Sequence, residues 1–304
     1  MEQGIDSERE MERLNRQFGT VGVSFQSGRN NLITVRLEWE GNAAVVYLLG
    51  AHLTSWQGRE SGEHLFVSRE SLFESGKAIR GGIPICFPQF GLQGPLVHHG
   101  FARINLLSVQ STEYSPSGVS IVLELDDNDA HLWPGKPTRT LLQITLNDSL
   151  ALEMTVHNLG TEVIELTHAF HNYFRISSIE NVVVEGLNGT SFLDKVKDGE
   201  VSVETRDLIH IESETDRVYL NAPDRVEVLD HQRQLAIQIE KSHQQDVVVW
   251  NPWAARAQAL KDFGDDEYRR MIAVESGNIS APVCVGAGAS LVVEQVLSVR
   301  KISG

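Results

Sequence analysis

Cysteine is almost absent from this sequence: Cys86 and Cys284 are the only two among 304 residues. Two cysteines so far apart supply neither a disulfide framework nor a compact zinc-binding cluster. We therefore expect both to be free, buried thiols in a protein that works in a reducing compartment.

Long apolar runs are missing as well. No stretch reaches 18 apolar residues, and residues 1–19 are charged where a secretory signal would be apolar. The sequence therefore predicts neither a membrane-spanning helix nor a secretory signal. The expected location is the cytoplasm.

Positive charge is scarce, because 26 lysines and arginines stand against 41 aspartates and glutamates, for a net charge of -15. A field of that sign repels nucleic acids and anionic membranes, so neither is an expected partner. A small anionic substrate is still compatible, since a few arginines in one pocket set the local potential there. We expect a small-molecule ligand and a monomer or weak dimer.

The sequence does contain a recurring period of two. In residues 33–39, Ile33, Val35 and Leu37 alternate with polar residues, as in a strand with one buried face. The same alternation returns at residues 119–125, 144–156, 226–239 and 291–299, and the segments 144–156 and 226–239 are each predicted to form a β-hairpin, with turns at residues 147–149 and near residues 231–232. Helical windows are few and short, chiefly residues 69–75 and 255–268. These patterns predict an all-β protein of antiparallel sheets packed face to face.

The pattern along the chain also sets the expected domain limits. Met11, Leu14 and Phe18 have helical spacing, so residues 1–20 are predicted to form an N-terminal arm or short helix. No linker, repeat or low-complexity tract interrupts the rest of the chain. Residues 21–304 are therefore predicted to form a single domain.

The first segment that departs from the strand pattern covers residues 80–91 and 98–103. Its glycines allow close approach of a ligand, its prolines stiffen the chain, and Arg80 and Arg103 can each donate two hydrogen bonds to a carboxylate or phosphate. The alternative is a packed turn with solvated arginines.

The second segment, residues 166–176, contains His168 and His171. In a strand, residues three apart face opposite sides of the sheet, so a metal site shared by the two histidines is not predicted. A buried histidine with its nitrogens satisfied is the favoured interpretation of His168.

The third segment combines residues 247–253 with residues 272–278. Glu275 comes after an apolar strand, so we expect a carboxylate with restricted access to water, either a functional group or a turn residue bonded to backbone amides. The tryptophans of residues 247–253 would stack on a sugar or join the core.

Five sequence motifs occur in a recognisable order: RGGIPICFPQFG (80–91), HGFAR (99–103), FHNYFRI (170–176), TDRVY (215–219) and VESGN (274–278). They resemble those of the hexose-6-phosphate mutarotases, or glucose-6-phosphate 1-epimerases, the phosphosugar branch of the aldose 1-epimerase family. The resemblance spans about residues 25–300. It implies a galactose-mutarotase-like β-supersandwich with no metal or organic cofactor.

The resemblance also implies roles for individual residues. The family's catalytic histidine corresponds to His171 and its catalytic carboxylate to Glu275. Its substrate-binding positions fall on Arg80, Arg103 and Asp216, and His99 is expected to line the same pocket. Some members have a substrate-contacting glutamine where this chain has His98, so that one contact is not carried over.

The implied activity is the interconversion of the α and β anomers of a hexose 6-phosphate by acid/base ring opening and closure. Glu275 would act as base and His171 as acid, exchanging roles on the return path. The alternatives are a mutarotase of free aldoses, a non-catalytic carbohydrate-binding β-sandwich, and a glycoside hydrolase that uses Asp216 and Glu275 as its carboxylate pair.

Overall fold

The computed structural model describes residues 2–128 and 130–302, so the predicted domain limits at residues 1 and 304 lie outside the described residues. The helices over these ranges are α1 (Glu2–Phe18) and α2 (Trp253–Ala259). The strands are, in chain order, β1 (Val23–Ser27), β2 (Ile33–Trp39), β3 (Asn42–Tyr47), β4 (His52–Gly58), β5 (Gly62–Glu63), β6 (Ile85–Cys86), β7 (Ser108–Ser115), β8 (Gly118–Asp127), β9 (Thr138–Leu146), β10 (Leu150–Asn158), β11 (Ile164–Phe170), β12 (Tyr173–Arg175), β13 (Val182–Glu185), β14 (Ser191–Asp194), β15 (Glu200–Val203), β16 (Leu208–His210), β17 (Thr215–Tyr219), β18 (Arg225–Asp230), β19 (Leu235–Ser242), β20 (Asp246–Asn251), β21 (Met271–Val285) and β22 (Ser290–Lys301).

The strands form three antiparallel sheets. The first contains β1 to β5 in sequence order, and the second has the order β16-β13-β18-β19-β22-β10-β9-β8-β7. The third has the order β15-β14-β17-β20-β21-β11-β6, with β12 also pairing with β21. The prediction of an all-β protein built from antiparallel sheets is confirmed.

The predicted hairpins are present. Leu146 of β9 pairs with Leu150 of β10 around the turn, where the Asn147 side chain accepts the N–H of Ser149 at 2.8 Å. Alternate residues of both strands are buried in the main hydrophobic core, as the period of two requires. Burying each large apolar side chain in this way contributes about 1.5–3 kcal/mol.

The N-terminal helix α1, Glu2–Phe18, lies within the segment of residues 1–20 predicted to be an arm or short helix. Leu14 is buried in the main core, and the Asn15 side chain bonds to both the N–H and the C=O of Phe25 in β1. These contacts attach α1 to the edge of the five-stranded sheet. No helix among the described residues is both long and apolar enough to cross a membrane.

Residues 69–75 are not helical, contrary to the sequence-based expectation. The backbone N–H of Arg69 and the hydroxyl of Ser68 both donate to the Glu267 carboxylate, which draws this segment onto a distant part of the chain. The window at residues 255–268 is helical only in part, because α2 ends at Ala259. Cys86 is buried as expected, whereas Cys284 is exposed because it lies on β21 beyond the buried part of that strand.

Candidate active site

The candidate site lies on one face of the eight-stranded sheet. Glu275 on β21 pairs with Val248 on β20, and Trp250, two residues further along β20, pairs with Asp216 on β17. Paired residues, and residues two apart in a strand, share a face. These side chains therefore project to the same side, while the opposite face of the sheet joins the main core.

His171 reaches this face because the chain changes direction between β11 and β12. The backbone N–H of His171 leaves the sheet and donates to the carbonyl of Pro84 at 3.1 Å. Its ring lies parallel to that of Tyr173, with centroids 4.6 Å apart and an angle of 6° between the rings. The carbonyl of Pro84 thus fixes the backbone of His171, and the ring of Tyr173 packs against one face of the imidazole.

Three segments complete a cavity of about 350 Å³ above this face. They are the segment of residues 80–99, the short 3₁₀ helix Lys195–Lys197, and α2 with the residues just after it. Gly82 is required in the first segment: its φ is 64°, and a Cβ there would collide with the carbonyl oxygen of Leu53. The lining residues are Arg80, Phe90, Gly91, His98, His99, His171, Tyr173, Lys195, Val196, Glu214, Asp216, Val248, Trp250, Arg256, Leu260 and Glu275.

The acid/base pair is formed by His171 and Glu275. Nε2 of His171 lies 3.2 Å from Oε1 of Glu275, and both side chains are more than nine-tenths buried. Nδ1 of His171 and Oε2 of Glu275 are also buried, and neither has a hydrogen-bond partner among the described residues. Buried polar atoms are nearly always paired in native proteins, so two unpaired atoms in one residue pair are more typical of a functional site than of a structural one.

Burial shifts the pKa values of the two groups in opposite directions. It raises the pKa of Glu275 well above its ordinary value, partly opposed by the positive charge of Lys195. Burial also lowers the pKa of His171 well below its ordinary value, and the charges of Arg103 and Arg80 lower it further. Both shifts favour the uncharged pair, in which the carboxylic acid donates to the imidazole.

A buried amide network supports both residues from behind. Asn172, the neighbour of His171, exchanges two side-chain hydrogen bonds with Gln295 of β22, at 2.7 and 2.9 Å. Ser276, the neighbour of Glu275, donates to the same Gln295 at 2.8 Å. One glutamine of the nine-stranded sheet therefore holds the backbone beside both members of the pair.

Arg80 lines the cavity, but its guanidinium already has protein partners. Nε and Nη2 donate to the two carboxylate oxygens of Asp262, each at 3.2 Å, and Nη1 donates to the Tyr173 hydroxyl at 3.1 Å. The Asp262 carboxylate balances the charge of Arg80 and fixes its orientation.

Arg103 is absent from the cavity lining, although its charge lowers the pKa of His171 and of Glu275. Its Nη2 donates to the carbonyl of His98 at 2.7 Å, so it holds the segment that covers the site. His98 and His99 line the cavity themselves, and Nδ1 of His99 accepts the N–H of Gly91 at 3.2 Å.

Asp216 lies beside a cation that the sequence did not single out. Nζ of Lys195 is 3.6 Å from Oδ1 of Asp216 and lies over the ring of Phe90. Burial raises the pKa of Asp216, opposed by Lys195. Arg256 of α2 is a second cation missed by sequence reasoning. Neither residue belongs to one of the sequence motifs, so only their position in the fold identifies them.

The structure thus brings five of the six predicted site residues to one cavity. Among the described residues, no group of three or more histidine, cysteine or acidic side chains could hold a metal ion. A larger cleft of about 570 Å³ lies along Asp126 and Asp127, but the described residues that line it include no lysine or arginine. It therefore offers no counter-charge to an anionic sugar.

Comparison with known proteins identifies relatives over most of the chain. A family model described as "Aldose 1-epimerase" matches residues 32–298. A relative from Cenchrus ciliaris named "Putative glucose-6-phosphate 1-epimerase" is 38% identical to this chain, over 81% of this chain and 78% of the relative. A relative of the same name from Escherichia coli K12 is 35% identical to this chain, over 77% of this chain and 79% of the relative.

Solved structures share the fold. One named "putative mutarotase (YeaD)", from Salmonella typhimurium, has a TM-score of 0.86 at 30% identity and covers 93% of this chain and 95% of that one. A galactose mutarotase-like protein from Clostridium acetobutylicum has a TM-score of 0.74 at 14% identity, covering 92% and 98%. The second likeness concerns the fold alone. The predicted galactose-mutarotase-like β-supersandwich is confirmed.

Proposed function

The chain belongs to the aldose 1-epimerase family, and we propose that it interconverts the α and β anomers of a hexose 6-phosphate, with glucose 6-phosphate the first candidate. The observation that supports this most directly is the buried His171–Glu275 pair, 3.2 Å apart, in a cavity that also has cationic lining residues. A volume of about 350 Å³ lies within the range of small-molecule sites. The names of the curated relatives support a phosphorylated sugar.

Ring opening requires two proton transfers. One proton leaves the C1 hydroxyl and one reaches the ring oxygen, while the bond between C1 and the ring oxygen breaks and a C1 aldehyde forms. The aldehyde turns about the C1–C2 bond, and the hydroxyl on C5 then attacks its other face, with both proton transfers reversed. Each proton transfer of this kind contributes roughly 10²–10⁴ in rate.

Glu275 and His171 together hold one mobile proton, which suits this chemistry. Moving that proton across their contact converts the neutral pair into a carboxylate and an imidazolium. In that form Glu275 accepts the C1 proton while His171 protonates the ring oxygen, and the roles are exchanged on closure.

We assign substrate-binding roles to Arg80, His99, Arg103 and Asp216. Arg80, His99 and Asp216 line the cavity, whereas Arg103 would act through its charge and through its hydrogen bond to the carbonyl of His98. A glycoside hydrolase is less well supported, because the close partner of Glu275 is a histidine, while Asp216 lies next to Lys195.

The test is anomer exchange measured by NMR with purified protein on glucose, galactose and their 6-phosphates. We expect accelerated exchange with a higher kcat/KM for glucose 6-phosphate than for glucose. Acceleration of free sugars alone would reassign the chain to the free-aldose branch. Binding without acceleration would support a carbohydrate-binding module, and release of reducing ends from a disaccharide would support a hydrolase.

The remaining assignments are part of the same proposal. We assign the catalytic unit to residues 21–304, with residues 1–20 as an arm packed on its first sheet. We also propose that the protein works in the cytoplasm, where its two free cysteines stay reduced, as a monomer or weak dimer.

A further inference from the structure

The cations around the cavity differ in how far their charge is already balanced. Arg80 shares both carboxylate oxygens of Asp262, and Lys195 lies 3.6 Å from Asp216. Arg103 has no ion pair among the described residues, but it is absent from the cavity lining, and its Nη2 donates to the carbonyl of His98. An anion that binds Arg80 or Lys195 must compete with a carboxylate already in place.

Arg256 is the exception. It lies in α2 on the cavity lining, its side chain is exposed, and it has no hydrogen bond or ion pair with any described residue. Its charge acts on Asp216 and on His98, which are lining residues from two other segments of the chain. Glu214 also lines the cavity but does not pair with Arg256 within 4.0 Å.

A phosphate dianion suits this cation for two reasons. A guanidinium presents parallel N–H groups that match two phosphate oxygens, and such charge-assisted bonds are among the strongest in proteins. In a chain with a net charge of -15, a phosphate approaches only where local positive charge outweighs the surrounding field. At the cavity, Arg256 supplies that charge without first breaking an existing ion pair.

The substrate's own geometry brings its phosphate toward the rim. In a hexose 6-phosphate, the phosphate is carried by C6. C6 is attached to C5, the carbon that is bonded to the ring oxygen. A ring oxygen at the buried His171–Glu275 pair leaves the phosphate to extend toward exposed groups such as Arg256 and Lys195. We propose that Arg256, assisted by Lys195, binds the substrate phosphate and sets the preference for phosphorylated over free hexoses. This inference rests on the proposed function.

The experiment compares kcat/KM for glucose 6-phosphate and glucose in wild type, Arg256→Ala, Arg256→Lys and Lys261→Ala. We expect Arg256→Ala to lower the ratio of the two values by roughly 10- to 100-fold, the effect of one lost charge-assisted interaction. Arg256→Lys should recover part of the ratio, since lysine keeps the charge but loses the two-pronged geometry.

Lys261→Ala is the matched control, because it removes one positive charge from the same segment at an exposed position outside the lining. An unchanged ratio in Arg256→Ala, or an equal loss in Lys261→Ala, would overturn the assignment.

Calorimetric titration with glucose 6-phosphate separates this result from failure of the proposed function. If wild type binds the ligand without accelerating exchange, weaker binding by Arg256→Ala still supports the assignment, and equal binding refutes it. If wild type neither binds nor turns over glucose 6-phosphate, both proposals fail.

Discussion

At the residue scale, a substitution of Glu275 can separate the contribution of the side chain's shape from its contribution to proton transfer. Glu275→Gln keeps the size of the side chain and its hydrogen-bonding capacity, but an amide can neither accept the C1 proton nor return it. We expect kcat for anomer exchange to fall by roughly 10²-fold or more, with substrate binding nearly intact. NMR exchange rates and calorimetric titration measure the two quantities.

The control is Glu165→Gln, the same change at an exposed position of the neighbouring strand β11. A wild-type kcat in Glu275→Gln would remove the carboxylate from the mechanism. His171→Asn is the companion change on the other member of the pair, and kcat for anomer exchange should also fall in this variant.

His168 shows what a buried histidine does without a catalytic role. It is fully buried, and its Nε2 lies 3.0 Å from the side-chain amide of Asn278. Its Nδ1 has no hydrogen-bond partner among the described residues, so the prediction that both nitrogens are satisfied is wrong for that atom. Burial lowers the pKa of His168 to about 3. Below the ordinary value of 6.5 the unfolded chain binds a proton that the folded protein does not. The free energy of unfolding should therefore fall with falling pH, by about 2 kcal/mol near pH 5 from this residue.

His168→Asn should make that decline shallower and leave the chemical step largely unchanged. Denaturant unfolding between pH 7.5 and 5 measures the slope, and His231→Asn, which removes a surface imidazole, controls for the substitution itself. A wild-type slope in His168→Asn would contradict the assignment.

At the scale of the element, α1 illustrates how an arm becomes part of the fold. Leu14 is 2% exposed and belongs to the main core, although most of the helix is polar. Leu14→Ala should lower the free energy of unfolding by about 2–5 kcal/mol through lost burial and a cavity. Denaturant titration measures the loss, and Arg9→Ala, at an exposed position of the same helix, is the control. A loss below about 0.5 kcal/mol would mean that α1 contributes little to stability.

At the scale of the whole molecule, Gln295 connects the nine-stranded sheet to the catalytic pair. Gln295→Leu leaves the side-chain amide oxygen of Asn172 and the hydroxyl of Ser276 without their partner. The free energy of unfolding should fall by about 1–3 kcal/mol for each of these buried groups. It should also lower kcat by about 10- to 100-fold through displacement of the reacting groups. KM should change much less, because Gln295 does not line the cavity.

Gln143→Leu, at an exposed position of β9 in the same sheet, is the control. Loss of stability with wild-type kcat in Gln295→Leu would assign Gln295 to folding alone. Partial recovery of kcat in Gln295→Glu, which keeps the acceptor oxygen, would support the positioning role.

The sequence alone predicted the strands and the order of the site motifs. Alternation such as that of Ile33, Val35 and Leu37 depends only on the period of a strand, and the turn at Asn147 depends on local hydrogen bonds. Properties of this kind are local, so neighbouring residues are sufficient to specify them.

Only the tertiary structure decided which residues meet. The segment of residues 69–75 is not helical because Glu267, nearly 200 positions away, binds its backbone. Arg103 is absent from the cavity lining, while Lys195 and Arg256, outside every motif, belong to it. The partner of each strand, and the segment that covers each face, depend on pairing between residues far apart in the chain. That pairing is selected by burial summed over the whole molecule, and no local pattern carries it.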